Sequence, residues 1–300
     1  MRKKGLAAVK SRNAYFYLLP GTLLMIFFVV VPVLMSLYIS FFRIPSLGAE
    51  WEFVWWANYR YMFEKQNWLG ALWKTVLYGA WGILTGLVFG LLLAFLVAKH
   101  RLLNVWRYVF YLPSVVSAIT ISRLWNYVLS PTETGLLNIL AMNWFGVSTP
   151  INWLGDENLV PFVVMALGLY GAGGGINLVL FTTAINNIPY EQREAASIEG
   201  ASNWTIATKI ELPQIRPIIS SIVILGLIGA FKNFESLYAL APDSGAIDTI
   251  AVMLYKVSIG IGSEDGYGVP AAMGMVLTVF IVGAMSLYIL WPQKKEEVAA

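Results

Sequence analysis

Six apolar runs, each long enough to cross a hydrocarbon layer, decide what this chain can fold into. They lie at 15–42, 75–98, 108–129, 161–185, 217–241 and 268–291. A helix rises 1.5 Å per residue, so about 20 apolar residues span the roughly 30 Å of a bilayer core. Within that layer every backbone N–H and C=O must be satisfied internally, and a helix does this within its own segment. Only 12% of the 300 residues are charged, against about 25% in soluble chains. A secreted enzyme, a nucleic-acid binder and a disordered tail are therefore excluded. The expected fold class is an all-α integral membrane protein with six transmembrane helices. The first run follows Arg2, Lys3, Lys4, Lys10 and Arg12, as a signal peptide would. Yet its apolar stretch is about twice the usual 7–15 residues and no small-residue cleavage site follows, so it reads as a retained span.

Orientation follows from where lysine and arginine fall. The N-terminus, the 99–107 loop, the 186–216 loop and the C-terminus together carry thirteen basic and six acidic residues, a net of +7. The opposite loops carry five basic and ten acidic residues, a net of −5, with Arg123, Lys232 and Glu235 inside spans. Positive charge marks the cytoplasmic side, so both termini are expected there. Trp51, Trp55, Trp56, Trp68, Trp73, Trp144, Trp153 and Trp291 crowd the boundaries. They read first as an interfacial belt and, more sharply, as platforms for sugar rings. The chain has no cysteine and one histidine, His100, which excludes disulfides, thiolate chemistry and a histidine-rich metal centre. No catalytic, cofactor-binding or metal-ligating residue is assigned, and His100 reads as a solvated boundary residue.

The segment 186–217 stands apart from the other loops. Glu191 and Glu194 place negative charge at the positive end of a short helix that Pro189 can open. Ala195 and Ala196 favour that helix and Gly200 ends it. Ser202 can cap a second helix running through Ile210, which Pro213 should then stop. The expectation is a helix–turn–helix outside the membrane, with an alanine pair narrow enough to enter another protein's groove.

The spacing Glu194-Ala195-Ala196, three residues, Gly200, nine residues, Ile210, one residue, Leu212-Pro213 reproduces E-A-A-x3-G-x9-I-x-L-P without a gap. This resembles the cytoplasmic motif of permease subunits of binding-protein-dependent ABC importers. Seven fixed residues at about 8% frequency each would arise in a chain of this length about once in 10⁵ sequences. Leu18-Leu19-Pro20-Gly21, Val31-Pro32, Ser40-Phe41-Phe42, Asn58-Tyr59, Gly135-Leu136-Leu137-Asn138 and Asn152-Trp153-Leu154 are similar to the carbohydrate-uptake branch, the maltose-type and glycerol-phosphate-type larger permeases. That branch often follows its fifth span with T-x-G-G-P, whereas this chain has Ala241-Pro242-Asp243-Ser244-Gly245.

The resemblance implies a type I (MetI-like) permease in a prokaryotic cell membrane. It implies a cytoplasmic segment at 1–14, a permease domain at 15–291 with its coupling loop at 186–217, and a cytoplasmic tail at 292–300. Glu194 to Gly200 would dock in an ATPase cleft. The implied partners are a second, distinct permease, two ATPase subunits, an extracytoplasmic solute-binding protein, its sugar and membrane lipid, with no nucleic acid. The chain carries no G-x-x-x-x-G-K-[ST] phosphate loop, so ATP-Mg belongs to the partner ATPases.

Charges in hydrocarbon usually face a cavity or partner. At 1.5 Å per residue, Arg123 lies about 24 Å beyond Arg107 and Lys232 about 22 Å beyond Pro217. Arg123, Asn126, Lys232, Asn233 and Glu235 thus fall in the outer half, where a hydroxyl-rich solute would meet them. The plainer reading pairs Lys232 with Glu235 on one helix face and lets Arg123 snorkel. The run Gly171-Ala172-Gly173-Gly174-Gly175 reads as close helix packing, or as a flexible element of the path with Asn177 as its polar contact. Import of glycerol-phosphate or another polar solute, an ion-coupled secondary transporter and an intramembrane enzyme are the alternatives.

Overall fold

A computed structural model describes residues 15–46, 48–172, 175–260 and 266–290. The N-terminal basic cluster, Gly173, Gly174, Glu264, Asp265 and Trp291 lie outside these residues. Contacts divide the chain into two units, one of 1–67 and 256–279, the other of 68–255 and 280–300.

The first unit opens with α1, Tyr15–Ile39, apolar over its whole length and with no buried residue. A helix that is apolar all round and uncovered by protein suits contact with lipid. A two-residue ribbon follows, β1 (Phe42–Arg43) antiparallel to β2 (Glu52–Phe53), and then α2 (Ala57–Lys65). These two-residue strands leave the fold all-α in class, and they close a knot of motif residues. Buried Asn58 donates to the carbonyls of Ser40 (2.8 Å) and Phe42 (2.9 Å), while the Tyr59 hydroxyl lies 2.8 Å from Ser40 Oγ. Backbone carbonyls freed where α1 ends thereby find donors.

The second unit is built on α3, Trp68–Val97. Along it pack α7 (Val160–Ala172), α8 (Gly175–Asn186) and α11 (Arg216–Lys232). The approach is close because small residues face each other. A Cβ added at Gly79 would lie 2.5 Å from Ala230 Cβ, and one at Gly226 would lie 2.7 Å from Ile83 Cγ1. Near one end Ala94, Leu178, Phe181, Ile185, Ile215 and Ile222 form a core; another gathers Val160, Leu237, Ile247 and Val252.

Three of the six expected spans are not single helices. The run 108–129 divides into α4 (Leu103–Val115) and α5 (Ala118–Val128). Pro113, which has no N–H to give, lies inside α4, and the division falls beyond it at Val116 and Ser117, which are extended (ψ 136° and 135°). The run 161–185 is α7 and α8, bent by 44°. The run 217–241 ends its first helix at Lys232, because Asn233 is extended (ψ 96°), and resumes as α12, Glu235–Leu240. Between α5 and α7 lies α6, Leu136–Phe145. Its buried Asn138 donates to Ser130 O and Ile151 O and accepts from Ile151 N (3.0 Å) and Trp153 Nε1 (2.9 Å). One amide thus joins the G-L-L-N and N-W-L segments. The last helices are α13 (Ile250–Ser258) and α14 (Gly268–Leu290). Trp68 is not an interfacial anchor, being 2% exposed; Trp51, Trp55, Trp56, Trp73 and Trp144 are exposed as a belt requires.

Gly79→Ala should lower the thermal midpoint of the detergent-solubilised protein, at the cost of about 1–3 kcal/mol typical of overpacking. Ala230→Gly in the same chain should restore most of it. Gly283→Ala, where a Cβ meets open space, is the control. An unchanged midpoint for Gly79→Ala would show that α3 and α11 do not approach this closely.

Candidate functional site

Two features of the second unit carry chemistry. The first is the loop after α8. Pro189 is extended (ψ 132°) and precedes α9, Tyr190–Ile198, rather than lying in its first turn. Gly200 takes φ +84°, the left-handed conformation that ends many helices, and Ala201 N donates to Ala196 O (2.9 Å). Ser202 Oγ accepts from Thr205 N at 3.2 Å and caps α10, Asn203–Gln214. Pro213 does not stop this helix. A π-helical stretch, Ala207–Glu211, precedes it, and it lies in the first turn of the α segment that follows, where no N–H is needed. The chain turns instead at Ile215, bending by 66° into α11.

α9 turns its motif residues outward. Glu194 and Ala195 are exposed and Ala196 is half-buried. Tyr190 (68%), Ile198 (82%) and Trp204 (71%) are large apolar side chains left uncovered, a surface suited to another protein. Of the other motif residues, Ile210, Leu212 and Pro213 are half-buried.

Behind α9 sits a charge cluster. Glu211 is wholly buried, with Oε1 3.0 Å from Lys99 Nζ and 2.8 Å from Arg193 Nε. Arg193 is 13% exposed and Lys99 43%. Neither carboxylate oxygen meets hydrogen-bond geometry, so charge attraction holds the group. Arg193 also donates through Nη2 to the carbonyl of Ile185, on α8. A buried carboxylate of this kind becomes costly once a partner is removed, by about 3–5 kcal/mol. Gln214 Nε2 donates to Gln192 Oε1 at 2.7 Å as a second, exposed link. His100 is a local cap, its Nδ1 accepting from Leu102 N (3.1 Å) and Trp106 Nε1 (3.3 Å).

The second feature is a cavity of about 360 Å³ among α3, α5, α7, α11 and α12. Tyr78, Trp81, Ser122, Trp125, Tyr170 and Asn233 are on its wall. Trp81 is fixed by its Nε1 bond to Met165 O (2.8 Å), and Trp125 meets Tyr170 edge-on with centroids 5.6 Å apart. Ser122 Oγ donates to Ser236 O (2.9 Å), and the Tyr78 hydroxyl donates to Ala246 O (3.0 Å). No charged side chain is among the described residues lining it. In the segment that stands in place of T-x-G-G-P, Gly245 O accepts from Lys74 Nζ (2.6 Å).

Of the intramembrane residues singled out by sequence, Asn233 lines this cavity. Its Oδ1 accepts from Ser236 Oγ at 2.5 Å. Asn126 instead donates to Leu240 O (2.8 Å), clipping α5 to α12. Asn177 is half-buried, and its Cβ would lie 3.5 Å from a Cβ at Gly90. Arg123, Lys232 and Glu235 are exposed. Lys232 and Glu235 do not share a helix face, because the helix breaks between them. In the glycine run, Gly175 takes φ +63° and Gly171 reaches the cavity wall.

Residues 86–293 match the family described as the binding-protein-dependent transport system inner membrane component. The chain belongs to this family. Among similar proteins is the arabinooligosaccharides transport system permease protein AraP of Bacillus subtilis (strain 168). It is 29% identical over 283 residues, covering 93% of this chain and 88% of AraP. The probable ABC transporter permease protein YurN of the same organism is 30% identical over 280 residues, covering 91% and 93%. A chain of the bacterial alginate ABC transporter, solved with an alginate pentasaccharide-bound periplasmic protein, superposes with a TM-score of 0.75. It is 21% identical and the match covers 93% of this chain and 94% of that one. This permease therefore has the all-α membrane fold of ABC transporter permeases.

Sequence reasoning missed Lys99, Arg193 and Glu211, and the aromatic wall of Trp81, Trp125 and Tyr170. Glu211 occupies the unspecified position of I-x-L-P, so a motif template passes over it. An acid flanked by Ile210 and Leu212 was the available signal. A Cβ at Gly200 meets nothing within 4 Å, so its only cost is the left-handed backbone, about 1–2 kcal/mol. Gly200→Asn should thus be tolerated, whereas Gly200→Val should expose the loop to limited proteolysis; equal cleavage of both would show that φ does not limit this turn.

Proposed function

We propose that this permease forms the membrane pathway of an ATP-driven importer of neutral sugars or short oligosaccharides. The observation that carries the reading is the convergence of three helix breaks on one cavity. Ala118 opens α5, Gly171 lies near the end of α7 and Asn233 separates α11 from α12, and all three line it. Membrane helices are interrupted where backbone borders a polar cavity rather than lipid. Aromatic faces beside hydroxyl and amide groups suit a sugar, which offers both C–H faces and hydroxyls. An uncharged wall favours a neutral solute over glycerol-phosphate, which would require buried cations. The names of AraP and of the xylose/arabinose import permease XacH of Haloferax volcanii support the same substrate class.

In this reading both termini are cytoplasmic in a prokaryotic cell membrane, the permease domain is 15–291 and the tails are 1–14 and 292–300. A second, distinct permease completes the pathway, an external binding protein delivers the sugar, and two separate ATPase subunits hold ATP-Mg. α9 enters an ATPase cleft with Glu194, Ala195 and Ala196, and Gly200, Ile210, Leu212 and Pro213 shape the loop behind it. Asn233 meets the passing sugar, with Arg123, Asn126, Asn177, Lys232 and Glu235 flanking the route.

Two experiments in vesicles holding the whole importer test this. Trp125→Ala and Asn233→Leu should each lower uptake of a neutral oligosaccharide at least tenfold while the ATPases still co-purify. Wild-type uptake in both would remove the cavity from the path. Glu194→Lys should release the ATPase or leave it hydrolysing ATP without transport, since a carboxylate there is placed for charge-assisted bonds to a basic partner. Normal co-purification and normal uptake together would exclude this loop as the coupling element.

A further inference from the structure

α9 buries none of its residues in this chain. A helix held by packing alone would pass little of its motion to the spans, because no interdigitated core ties it to them. Its inward connection is Arg193, the one charged side chain of α9 that is mostly covered. That guanidinium bonds the carbonyl of Ile185 at the end of α8 and lies 2.8 Å from Glu211 on α10. Glu211 in turn lies 3.0 Å from Lys99, two residues beyond α3. α10 leads directly into α11.

We infer that Arg193 and Glu211, with Lys99, are the positioning residues that lock α9 to the ends of α3, α8 and α11, so that a displacement of α9 moves these helices as one body. The inference rests on the reading of 186–217 as the coupling loop. A dry carboxylate shared by two cations suits this task better than an exposed bond such as Gln192–Gln214. Separating the charges inside protein costs far more than separating them in water, so the link resists extension. The position is also economical, since one carboxylate joins both short helices of the loop to the end of α3.

The chain has no cysteine, so Ser197→Cys on α9 and Ser221→Cys on α11, both exposed, can carry a pair of spin labels in the assembled importer. With Arg193 and Glu211 intact, the label separation should stay single and narrow with and without ATP. Arg193→Met and Glu211→Gln should leave the ATPases attached and hydrolysing, broaden that separation, and lower sugar imported per ATP at least tenfold. Arg193→Lys retains the charge but lacks the second nitrogen that reaches Ile185, so it should give a smaller loss. A role in folding alone would lower yield and thermal midpoint without changing transport per ATP in the protein that assembles. If Glu211→Gln fails to assemble, Arg193→Lys decides, and a narrow separation with wild-type uptake per ATP overturns the inference. If Glu194→Lys uncouples while the Arg193 variants do not, the link alone fails. If Glu194→Lys is silent as well, the coupling-loop reading fails with it.

Discussion

The close approach of α3 to its neighbours is the constraint on which the second unit depends. Lipid tails are as apolar as leucine, so burying apolar surface gives helices little reason to associate within a bilayer. Dispersion and backbone proximity must do it, and both need small residues at the contact. Gly79 against Ala230 and Gly226 beside Ile83 bring α11 onto α3. Gly90, with Phe181 3.2 Å from a notional Cβ, does the same for α8. Once three helices are drawn to one axis, the larger side chains are displaced toward the ends. Gly79 and Ala230 also line the cavity, beside the aromatic wall of Trp81, Trp125 and Tyr170.

A second constraint follows from the broken spans. Every interruption releases backbone groups that cannot be left bare in hydrocarbon. The chain answers locally. Asn126 takes the carbonyl of Leu240, Ser122 takes that of Ser236, and Asn233 receives the hydroxyl of Ser236. Ser122 and Asn126 of α5 therefore clip α12 in place, and Ser122 lines the cavity as well. This double duty explains why a polar residue deep in an apolar run is an ambiguous sign of a solute path.

Hydropathy was a good guide to the long apolar helices Tyr15–Ile39, Trp68–Val97 and Gly268–Tyr288, because a stretch of that length and composition has little else to become. The other three runs are broken. The breaks were less legible. Pro113 sits inside α4 and the break falls three residues beyond it, and nothing in the composition around Asn233 distinguishes a residue that ends a helix from one that continues it. The 186–217 loop was readable down to Gly200 and Ser202, since a left-handed turn and a cap each require particular residues. Pro213 misled because its effect depends on register: a proline breaks an α-helix but is harmless in the first turn of a new segment. The Lys99–Glu211–Arg193 cluster was invisible for a different reason. It joins Lys99 to two residues of a loop about a hundred positions on, and no periodicity links them. The cavity wall escaped for the same reason, with Trp81, Trp125 and Tyr170 brought together by packing that no single span reveals.

The π-helical stretch Ala207–Glu211 has a bearing on how the motif's spacing is set. A π turn accommodates one residue more than an α turn. The interval between Gly200 and Ile210 therefore includes an insertion, absorbed as a local widening instead of a bulge in the loop. Deleting one residue within the stretch would let it wind as a plain α-helix and leave the residues beyond it facing as they do. Deleting one outside it would turn everything after by about 100° around the axis and carry Glu211 from its dry pocket toward water. Where along the loop a residue is lost thus decides whether one side chain keeps its bearing.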